Sequence, residues 1–209
     1  MIEPQVVKII KDHYHARAQN GDYSNNNLGF GLVHYSIIRN LRPERVLVVG
    51  SQKGYVPAIC ALACKDERKG HVDFVDAGYQ GLETKAWGGL GIWKTATSDY
   101  WKPLGVEKYI TIHNMETKDF KPQKYDYIYI DGDHSYEGVK TDYELFWKCL
   151  NPNGMMSFHD ILVDKDTTEY GPCGVKKFWN EIVQKHKQYI EYNFEVGLGI
   201  LQNGKMALE

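Results

Sequence analysis

Two clusters of polar residues stand directly after short apolar runs, and their types suit metal binding or acid–base chemistry. In "YIYIDGDHSYEG" the polar residues are Asp131, Asp133 and His134, and in "MMSFHD" they are His159 and Asp160. Carboxylates and imidazoles bind divalent cations, and an imidazole can also accept a proton near neutral pH. Three interpretations are therefore open for the first cluster: an ordinary turn, a metal site or a catalytic site.

The elements that would position these residues follow an alternating pattern of strands and helices. Several apolar, β-branched or aromatic runs of four or five residues are typical of strands buried on both faces. The predicted strands are 45–49, 71–75, 109–113, 127–130 and 155–158, and the predicted helices are 1–20, 29–41, 55–64, 139–150 and 175–184. Strands that alternate with helices indicate an α/β fold with a doubly wound, mostly parallel sheet.

The C-terminal part breaks this alternation. "YIEYNF" (Tyr189–Phe194) and "LGILQ" (Leu198–Gln202) are separated by only three residues. A connection of that length suits a hairpin and is too short for a crossover between parallel strands. We therefore expect the sheet to finish with an antiparallel hairpin.

The first predicted strand leads into a glycine-containing turn, "VVGSQKGYV". Gly50 and Gly54 permit a tight turn where backbone approaches a ligand, and Asp76 at the next strand end can accept hydrogen bonds from ribose hydroxyls. A plain β–α turn with a solvated aspartate is the alternative. The GxGxxG fingerprint is absent, since Gln52 and Tyr55 occupy its later glycine positions, which disfavours a nicotinamide-dependent oxidoreductase. The P-loop pattern is absent too.

Composition narrows the class of protein. The chain has 209 residues, 43% of them hydrophobic, which suits one folded domain, and its formal net charge of −2 and scattered basic residues argue against nucleic-acid binding. No apolar run is long enough to span a membrane. The four cysteines form no CxxC pair, and we expect buried, reduced thiols in a cytoplasmic protein. We expect a single domain over 1–207, with an N-terminal helical cap (1–40), a core (41–207) and an expression-vector scar at 208–209.

Taken together, these segments resemble a known family. "RVLVVGSQKGY", the strand ending in Asp76, the stretch "YDYIYIDGDHSYEGVKTDYELFWKCLNPNGMMSFHD" and the closing hairpin are similar to class I S-adenosylmethionine-dependent methyltransferases. The nearest subgroup is the small-molecule O-methyltransferases, which include catechol-type enzymes and proteins of the cephalosporin and macrolide-sugar pathways. The resemblance covers about residues 40–205 and implies a Rossmann-like sheet of seven strands.

The resemblance also implies roles for individual residues. Gly50, Ser51 and Gly54 would line the methionine part of S-adenosylmethionine, and Asp76 would bind its ribose. Met115 would pack on the adenine ring, with Glu116 as a polar contact nearby. Asp131 would lie beside the sulfonium and a metal ion, whose site His159 and Asp160 would complete.

These roles suggest a metal-assisted reaction. Two carboxylates, one imidazole and waters suit an octahedral Mg²⁺ or Mn²⁺ ion, which would lower the pKa of a substrate hydroxyl. His134 is the candidate general base, since an ordinary imidazole pKa near 6.5 suits that role. The alternatives are that Asp131 serves only the cofactor, that the His159–Asp160 pair caps the next segment, and that His134 is a surface histidine. Asp142 and Glu144 are expected on the solvated face of their helix.

The sequence thus predicts O-methylation of a small hydroxylated molecule by S-adenosylmethionine with divalent-cation assistance, in an enzyme without nucleic-acid or membrane partners. A homodimer is the default expectation for its assembly. The second hypothesis is a degenerate cofactor-binding module that acts as an interaction protein without turnover, because family members usually carry an acidic residue at Val48 and glycine at Gln52. The "GLETKAWGGLGIWKTATSDYW" stretch (Gly81–Trp101) is either a cover over the site or an irregular packed loop.

Overall fold

The computed structural model of the protein describes residues 2–14, 27–81, 89–163, 165–168 and 171–204. Its strands, in chain order, are β1 Arg45–Val49, β2 His71–Asp76, β3 Gln80–Gly81, β4 Gly89–Leu90, β5 Ile110–Asn114, β6 Tyr125–Ile130, β7 Leu150–His159, β8 Lys165–Thr168, β9 Gly171–Cys173, β10 Tyr189–Tyr192 and β11 Leu198–Gln202. The α-helices are α1 Pro4–His13, α2 Phe30–Leu41, α3 Tyr55–Glu67, α4 Tyr136–Phe146 and α5 Val175–Ile182.

Seven of these strands form the central sheet, in the order β10-β11-β7-β6-β1-β2-β5. The five strands from β7 to β5 are parallel to one another, whereas β11 pairs antiparallel with both β7 and β10. The predicted fold class, a mostly parallel sheet with a C-terminal antiparallel hairpin, is confirmed. The hairpin places β11 inside the sheet, so β10 is the edge strand and runs in the same direction as the parallel core.

Helices cover both faces of the sheet, as doubly wound architecture requires. One face carries the hydrophobic cluster that α1, α2 and α3 complete, and the other carries the cluster that α4 and α5 complete. Val46 to Val49 of β1 are at most 1% exposed, because this strand lies at the centre of the sheet with helices above and below. The continuous apolar run in the sequence reflects this two-sided burial.

The order of strands reverses between β1 and β6. From β1 the chain proceeds to β2 and β5 on one side, and from β6 it proceeds to β7 on the other. In open parallel sheets a crevice opens at such a switch point, outside the carboxyl ends of the strands. The glycine turn after β1 and Asp131 after β6 both lie there.

Some element boundaries differ from the predictions. Helix α1 ends at His13, and the predicted continuation over 15–20 lies outside the described residues. "NPNG" (Asn151–Gly154), expected to separate α4 from a strand, belongs to β7. It forms a bulge, since Leu150 and Met155 pair with Tyr125 and Tyr127, which are only two residues apart. The β8–β9 hairpin was not predicted.

No helix among the described residues is long and apolar enough to cross a membrane. The four cysteines, Cys60, Cys64, Cys149 and Cys173, are free thiols, and all four are buried, as expected. The predicted scar at 208–209 lies outside the described residues.

Candidate active site

The glycine turn after β1 lies against the backbone that follows β6. Gly50 has a φ of +70°, and a Cβ on it would lie 2.2 Å from the carbonyl oxygen of Asp131. The Asp131 N–H donates to Val49 O at 2.9 Å, which holds the ends of the two strands together. Gly50 is therefore required both for its left-handed backbone and for the close approach of two chain segments.

The second glycine of the turn rests on a layer of indole rings. Gly54, with a φ of +77°, precedes α3, and a Cβ on it would lie 2.7 Å from the ring of Trp101 and 2.9 Å from that of Trp93. Trp93 also donates to Ser51 O at 2.9 Å, and the Tyr100 hydroxyl donates to Lys53 O at 3.0 Å. The described part of the Gly81–Trp101 stretch therefore packs beneath the turn as support; residues 82–88 lie outside the described residues.

Asp76 faces the same turn from the end of β2. One carboxylate oxygen accepts the N–H of Ser51 at 3.3 Å and the other accepts the N–H of Gly78 at 2.7 Å. Burial raises the pKa of Asp76 to about 6, despite the two backbone donors that favour its charged form. The carboxylate is therefore fixed in position beside Ser51, where it was predicted to meet the ribose.

The predicted adenine contacts lie next to Asp76. The N–H of Met115 donates to Asp76 O at 3.2 Å, and the Met115 side chain is 37% exposed at this edge. Glu116 turns toward other partners, since it accepts a hydrogen bond from the Tyr79 hydroxyl and pairs with Lys118. The structure thus brings Gly50, Ser51, Asp76 and Met115 to one edge of the sheet, with Glu116 at its outer side.

The two polar clusters singled out in the sequence meet at the ends of the adjacent strands β6 and β7. Asp131 Oδ1 lies 3.0 Å from His134 Nε2 and 3.2 Å from His159 Nδ1. Asp160 Oδ2 lies 2.7 Å from His134 Nδ1, and Asp160 Oδ1 lies 3.0 Å from His159 Nδ1. The four side chains form a closed ring of alternating carboxylates and imidazoles, which we call the His–Asp ring.

Local backbone structure sets the positions in this ring. Ser135 caps α4, because its hydroxyl accepts the N–H of Gly138 at 3.0 Å, and Asp133 stabilises the turn by accepting the N–H of Ser135 at 2.9 Å. His134 is held between these two turn residues. Asp160 adopts a left-handed φ of +62°, which is uncommon for a residue other than glycine and marks a backbone held in place by its surroundings.

Burial and charge act against each other throughout the ring. Burial lowers the pKa of His134, but its contacts with Asp131, Asp160 and Cys173 outweigh burial and raise this pKa well above its ordinary value. Burial also disfavours the charged form of His159, yet the charges of the same carboxylates raise its pKa as well. Burial raises the pKa of the Asp131 and Asp160 carboxyls, but the two imidazoles lower it by more, so both pKa values lie below the ordinary value. The contacts within the ring therefore favour the charged form of each carboxylate and of each imidazole.

Sequence reasoning missed Cys173, which lies beside the ring. Among the described residues, one group of three potential metal ligands has its ligand atoms within 4.8 Å of one another, and it consists of His134, Asp160 and Cys173. Cys173 belongs to the β8–β9 hairpin, and the next residue, Gly174, donates its N–H to His134 O at 2.8 Å. No pattern in the sequence linked this hairpin with the strand ends.

Helix α2, in the N-terminal part of the chain, packs against the ring. The Phe30 ring meets His159 edge-on at 6.4 Å, and the His34 ring meets Tyr129 edge-on at 4.8 Å. His34 is fully buried, and burial lowers its pKa to about 3, so this imidazole is neutral.

The expectation that Asp142 faces solvent is wrong. Asp142 lies on the buried side of α4 and is 4% exposed, whereas Glu144 is exposed as expected. The Asp142 Oδ2 atom would lie 3.2 Å from a Cβ placed on Gly132, in the turn after β6.

Comparisons with known proteins agree with this architecture. A family described as "Methyltransferase domain" matches residues 47–161, which is more than half of the chain. The uncharacterized protein y4gI of Sinorhizobium fredii is 25% identical over 175 residues, covering 83% of this chain and 18% of that protein. The uncharacterized protein R132 of Acanthamoeba polyphaga mimivirus is 33% identical over 78 residues, covering 37% of this chain and 34% of that protein. The chain thus spans a minor part of the curated relatives it matches.

Among solved structures, the O-methyltransferase TomG from Streptomyces achromogenes, involved in tomaymycin synthesis and solved in complex with S-adenosylmethionine, superposes with a TM-score of 0.65. The sequence identity is 14%, and the match covers 98% of this chain and 92% of that chain, so the likeness concerns the fold. The family match over residues 47–161, which include both the glycine turn and the His–Asp ring, shows that this chain belongs to the methyltransferase-domain family and has the fold of the S-adenosylmethionine-dependent methyltransferases.

Proposed function

We propose that the protein transfers a methyl group from S-adenosylmethionine to an oxygen of a small hydroxylated molecule with the help of a divalent cation. The observation that carries this proposal is the His–Asp ring, which lies at the ends of β6 and β7, directly beside the glycine turn after β1. A cofactor at the turn and a substrate hydroxyl at the ring would therefore be neighbours.

Several groups on the cofactor side of the site support the binding of S-adenosylmethionine. We propose that the turn from Gly50 through Ser51 to Gly54 meets the methionine part and that Asp76 accepts hydrogen bonds from the ribose hydroxyls. At neutral pH Asp76 is ionised, since its raised pKa is about 6. The exposed side chain of Met115 offers an apolar surface for the adenine ring, with Glu116 as a polar contact at its edge.

Methyl transfer asks the protein for alignment and exclusion of water rather than covalent chemistry. S-adenosylmethionine supplies a methyl group already activated by a positively charged sulfur. The buried strand ends keep Asp131 and Asp160 in fixed positions, and α2 with Phe30 shields the ring from solvent. A substrate oxygen held at the ring would be oriented by groups that do not have to reorganise during the reaction.

The ring fits a divalent cation in the chemistry of its donors. Asp131, His159 and Asp160 offer two carboxylates and an imidazole, and all three are largely buried, with His159 3% and Asp160 5% exposed. We propose this ring as the cation site, with these three residues as the ligand set predicted from the sequence and Mg²⁺ or Mn²⁺ as the candidate ion. When bound, such an ion would lower the pKa of a substrate hydroxyl.

The role of His134 as general base stays a prediction, and it requires that the imidazole first lose its proton. A base has to be unprotonated at the working pH, whereas the contacts with Asp131 and Asp160 raise the pKa of His134 well above its ordinary value. His134 could accept a proton from the substrate only after one of its two N–H protons has been lost from the imidazole.

The setting of the enzyme is proposed as well. We propose one domain over 1–207, in which α1 and α2 act as a cap, and a homodimer of such domains in the cytoplasm. The buried free thiols support a reducing compartment. The net charge of −2 supports a small-molecule substrate over nucleic acid or a membrane surface.

A second candidate function is a cofactor-binding module without turnover. It is favoured by the first motif, in which Val48 is fully buried in the sheet and offers no acidic group to the turn. Such a module would bind S-adenosylmethionine but would methylate no member of a panel of hydroxylated compounds. Its binding of S-adenosylmethionine would also be unchanged when His134 is replaced by alanine.

The test is methyl transfer from labelled S-adenosylmethionine to a panel of small catechols, phenols and sugars, with and without chelation. We expect transfer to at least one compound, and a loss of roughly 100-fold or more after chelation or in Asp160→Ala, because an interaction needed in the transition state is removed. Asp119→Ala, which alters an exposed carboxylate in the turn after β5, is the matched control and should keep its activity. Transfer that survives exhaustive chelation and Asp160→Ala would reject the cation.

A further inference from the structure

Cys173 adds a thiol to the donors of the His–Asp ring. His134, Asp160 and Cys173 each place a ligand atom within 4.8 Å of the others, and they are 8%, 5% and 7% exposed. Ligand atoms of a tetrahedral zinc ion lie roughly 3.3–3.6 Å apart, given bond lengths of about 2.0 to 2.3 Å. The three groups therefore need only small movements to surround one ion.

A backbone hydrogen bond joins the hairpin that carries Cys173 to the residue His134 of the ring. Gly174 donates its N–H to His134 O at 2.8 Å, and a Cβ on Gly174 would lie 2.6 Å from the backbone nitrogen of Tyr136. This close approach leaves no room for a side chain at position 174. The contact holds the thiol beside the imidazole and does not depend on the ionisation of either group.

His134 has a carboxylate partner of the kind that orients a metal-bound imidazole. His134 Nε2 is hydrogen-bonded to Asp131 Oδ1 at 3.0 Å, while His134 Nδ1 faces Asp160 Oδ2 at 2.7 Å. Histidine ligands of metal ions almost always donate their second N–H to a carboxylate or carbonyl, which sets the tautomer and the ring plane. Asp131 occupies that position, on the side of the imidazole away from Asp160.

We propose that His134, Asp160 and Cys173 bind a thiolate-preferring transition metal ion, Zn²⁺ or a close relative, with Asp131 as the positioning residue for His134. The inference rests on the proposed function because it keeps a cation at the His–Asp ring, but it replaces the oxygen-preferring ligand set of Asp131, His159 and Asp160 with one that contains a thiolate. A thiolate selects zinc-like ions, whereas Mg²⁺ prefers oxygen ligands. Three protein ligands leave a fourth position open, as catalytic zinc sites do. His134 is then a ligand, in place of the base predicted from the sequence.

The experiment is a titration of the full-length, metal-depleted protein with Co²⁺ and with Zn²⁺, followed by absorption spectroscopy and calorimetry. We expect one ion per chain and a thiolate-to-cobalt charge-transfer band in the near ultraviolet. Cys173→Ser should lose the band and bind Zn²⁺ at least about tenfold more weakly. Cys149→Ser is the matched control, since Cys149 is a buried free thiol in the same hydrophobic cluster, and it should keep both properties.

The outcomes separate this inference from the proposed function. Cobalt bound without the charge-transfer band, or Zn²⁺ affinity unchanged in a folded Cys173→Ser protein, would overturn the thiolate site while leaving S-adenosylmethionine binding and methyl transfer to be judged by their own assays. No binding of either ion by the unmodified protein would also overturn the thiolate site, whereas the Mg²⁺ or Mn²⁺ assignment is judged by the chelation assay. Circular dichroism of each variant establishes that a loss of binding is not a loss of fold.

Discussion

At the scale of single residues, Asp142 shows how a carboxylate is buried without belonging to the site. Burial in the cluster around α4 raises its pKa to about 7, a hydrogen bond from Thr117 favours the charged form, and the charge of Asp133 disfavours it. The folded protein therefore retains the Asp142 proton over a pH range in which the unfolded chain releases it. Folding stability falls as pH rises from about 4 to about 7, because the folded-state pKa lies above the unfolded one.

Asp142→Asn should therefore stabilise the protein, and more so at high pH. We expect the free energy of unfolding to rise by roughly 1–4 kcal/mol at pH 8 and by less at pH 5, since each unit of pKa shift corresponds to about 1.4 kcal/mol. The measurement is denaturant unfolding at both pH values. Glu144→Gln, on the exposed side of the same helix, is the control and should show little pH dependence. Equal pH dependence in the two variants would contradict the burial argument.

The residues of the ring were predictable because strand ends are readable in the sequence. Asp131 and Asp160 each follow an apolar run, and adjacent parallel strands bring their carboxyl ends to one edge of the sheet. Cys173 was not predictable, since the β8–β9 hairpin reaches the ring only through long-range contacts such as that between Gly174 and His134. The burial of Asp142 escaped prediction because a carboxylate on an amphipathic helix is normally solvated.

At the scale of elements, the junction of β1 with β6 brings the glycine turn against Asp131. Val49 pairs with Ile130, and the next residues, Gly50 and Asp131, lie so close that a Cβ on Gly50 would be 2.2 Å from Asp131 O. The strand pattern predicted both elements to within two residues. Hydrophobic periodicity carries no information about which strands become neighbours, so the proximity of Gly50 and Asp131 was implied only by the family resemblance, which places both beside the cofactor.

Gly50→Ala should destabilise this junction strongly. The new Cβ would lie 2.2 Å from Asp131 O, and backbone on both sides cannot move away cheaply. We expect a loss of about 3 kcal/mol or more in the free energy of unfolding, measured by denaturant titration.

Gly105→Ala is the control for backbone strain alone. Gly105 has a similar φ of +65°, but the nearest atom to its Cβ is the flexible end of Lys65 at 3.1 Å. It should lose only the roughly 1–2 kcal/mol that a left-handed residue costs. Equal losses in the two variants would mean that the contact with Asp131 contributes nothing beyond the φ angle.

At the scale of the whole molecule, the sheet order explains why the two halves of the site meet. The glycine turn and Asp76 belong to the side of the sheet that runs from β1 to β5, whereas Asp131 and Asp160 belong to the side that runs from β6 to β7. The switch point between β1 and β6 brings these two groups of residues to the same edge of the sheet. The substrate was not predictable from the sequence, because the described segments beside the site, including α2 and residues 89–101, carry no motif for a particular molecule.

Calorimetric titration of the full chain with S-adenosylmethionine tests the central claim most directly. We predict one site per chain with a dissociation constant in the micromolar range, weakened at least about tenfold in Asp76→Asn, whose side chain cannot offer two negatively charged acceptors to the ribose. NAD⁺ at the same concentration should neither bind nor raise the melting temperature. Absence of binding at millimolar S-adenosylmethionine by a folded protein would contradict the account.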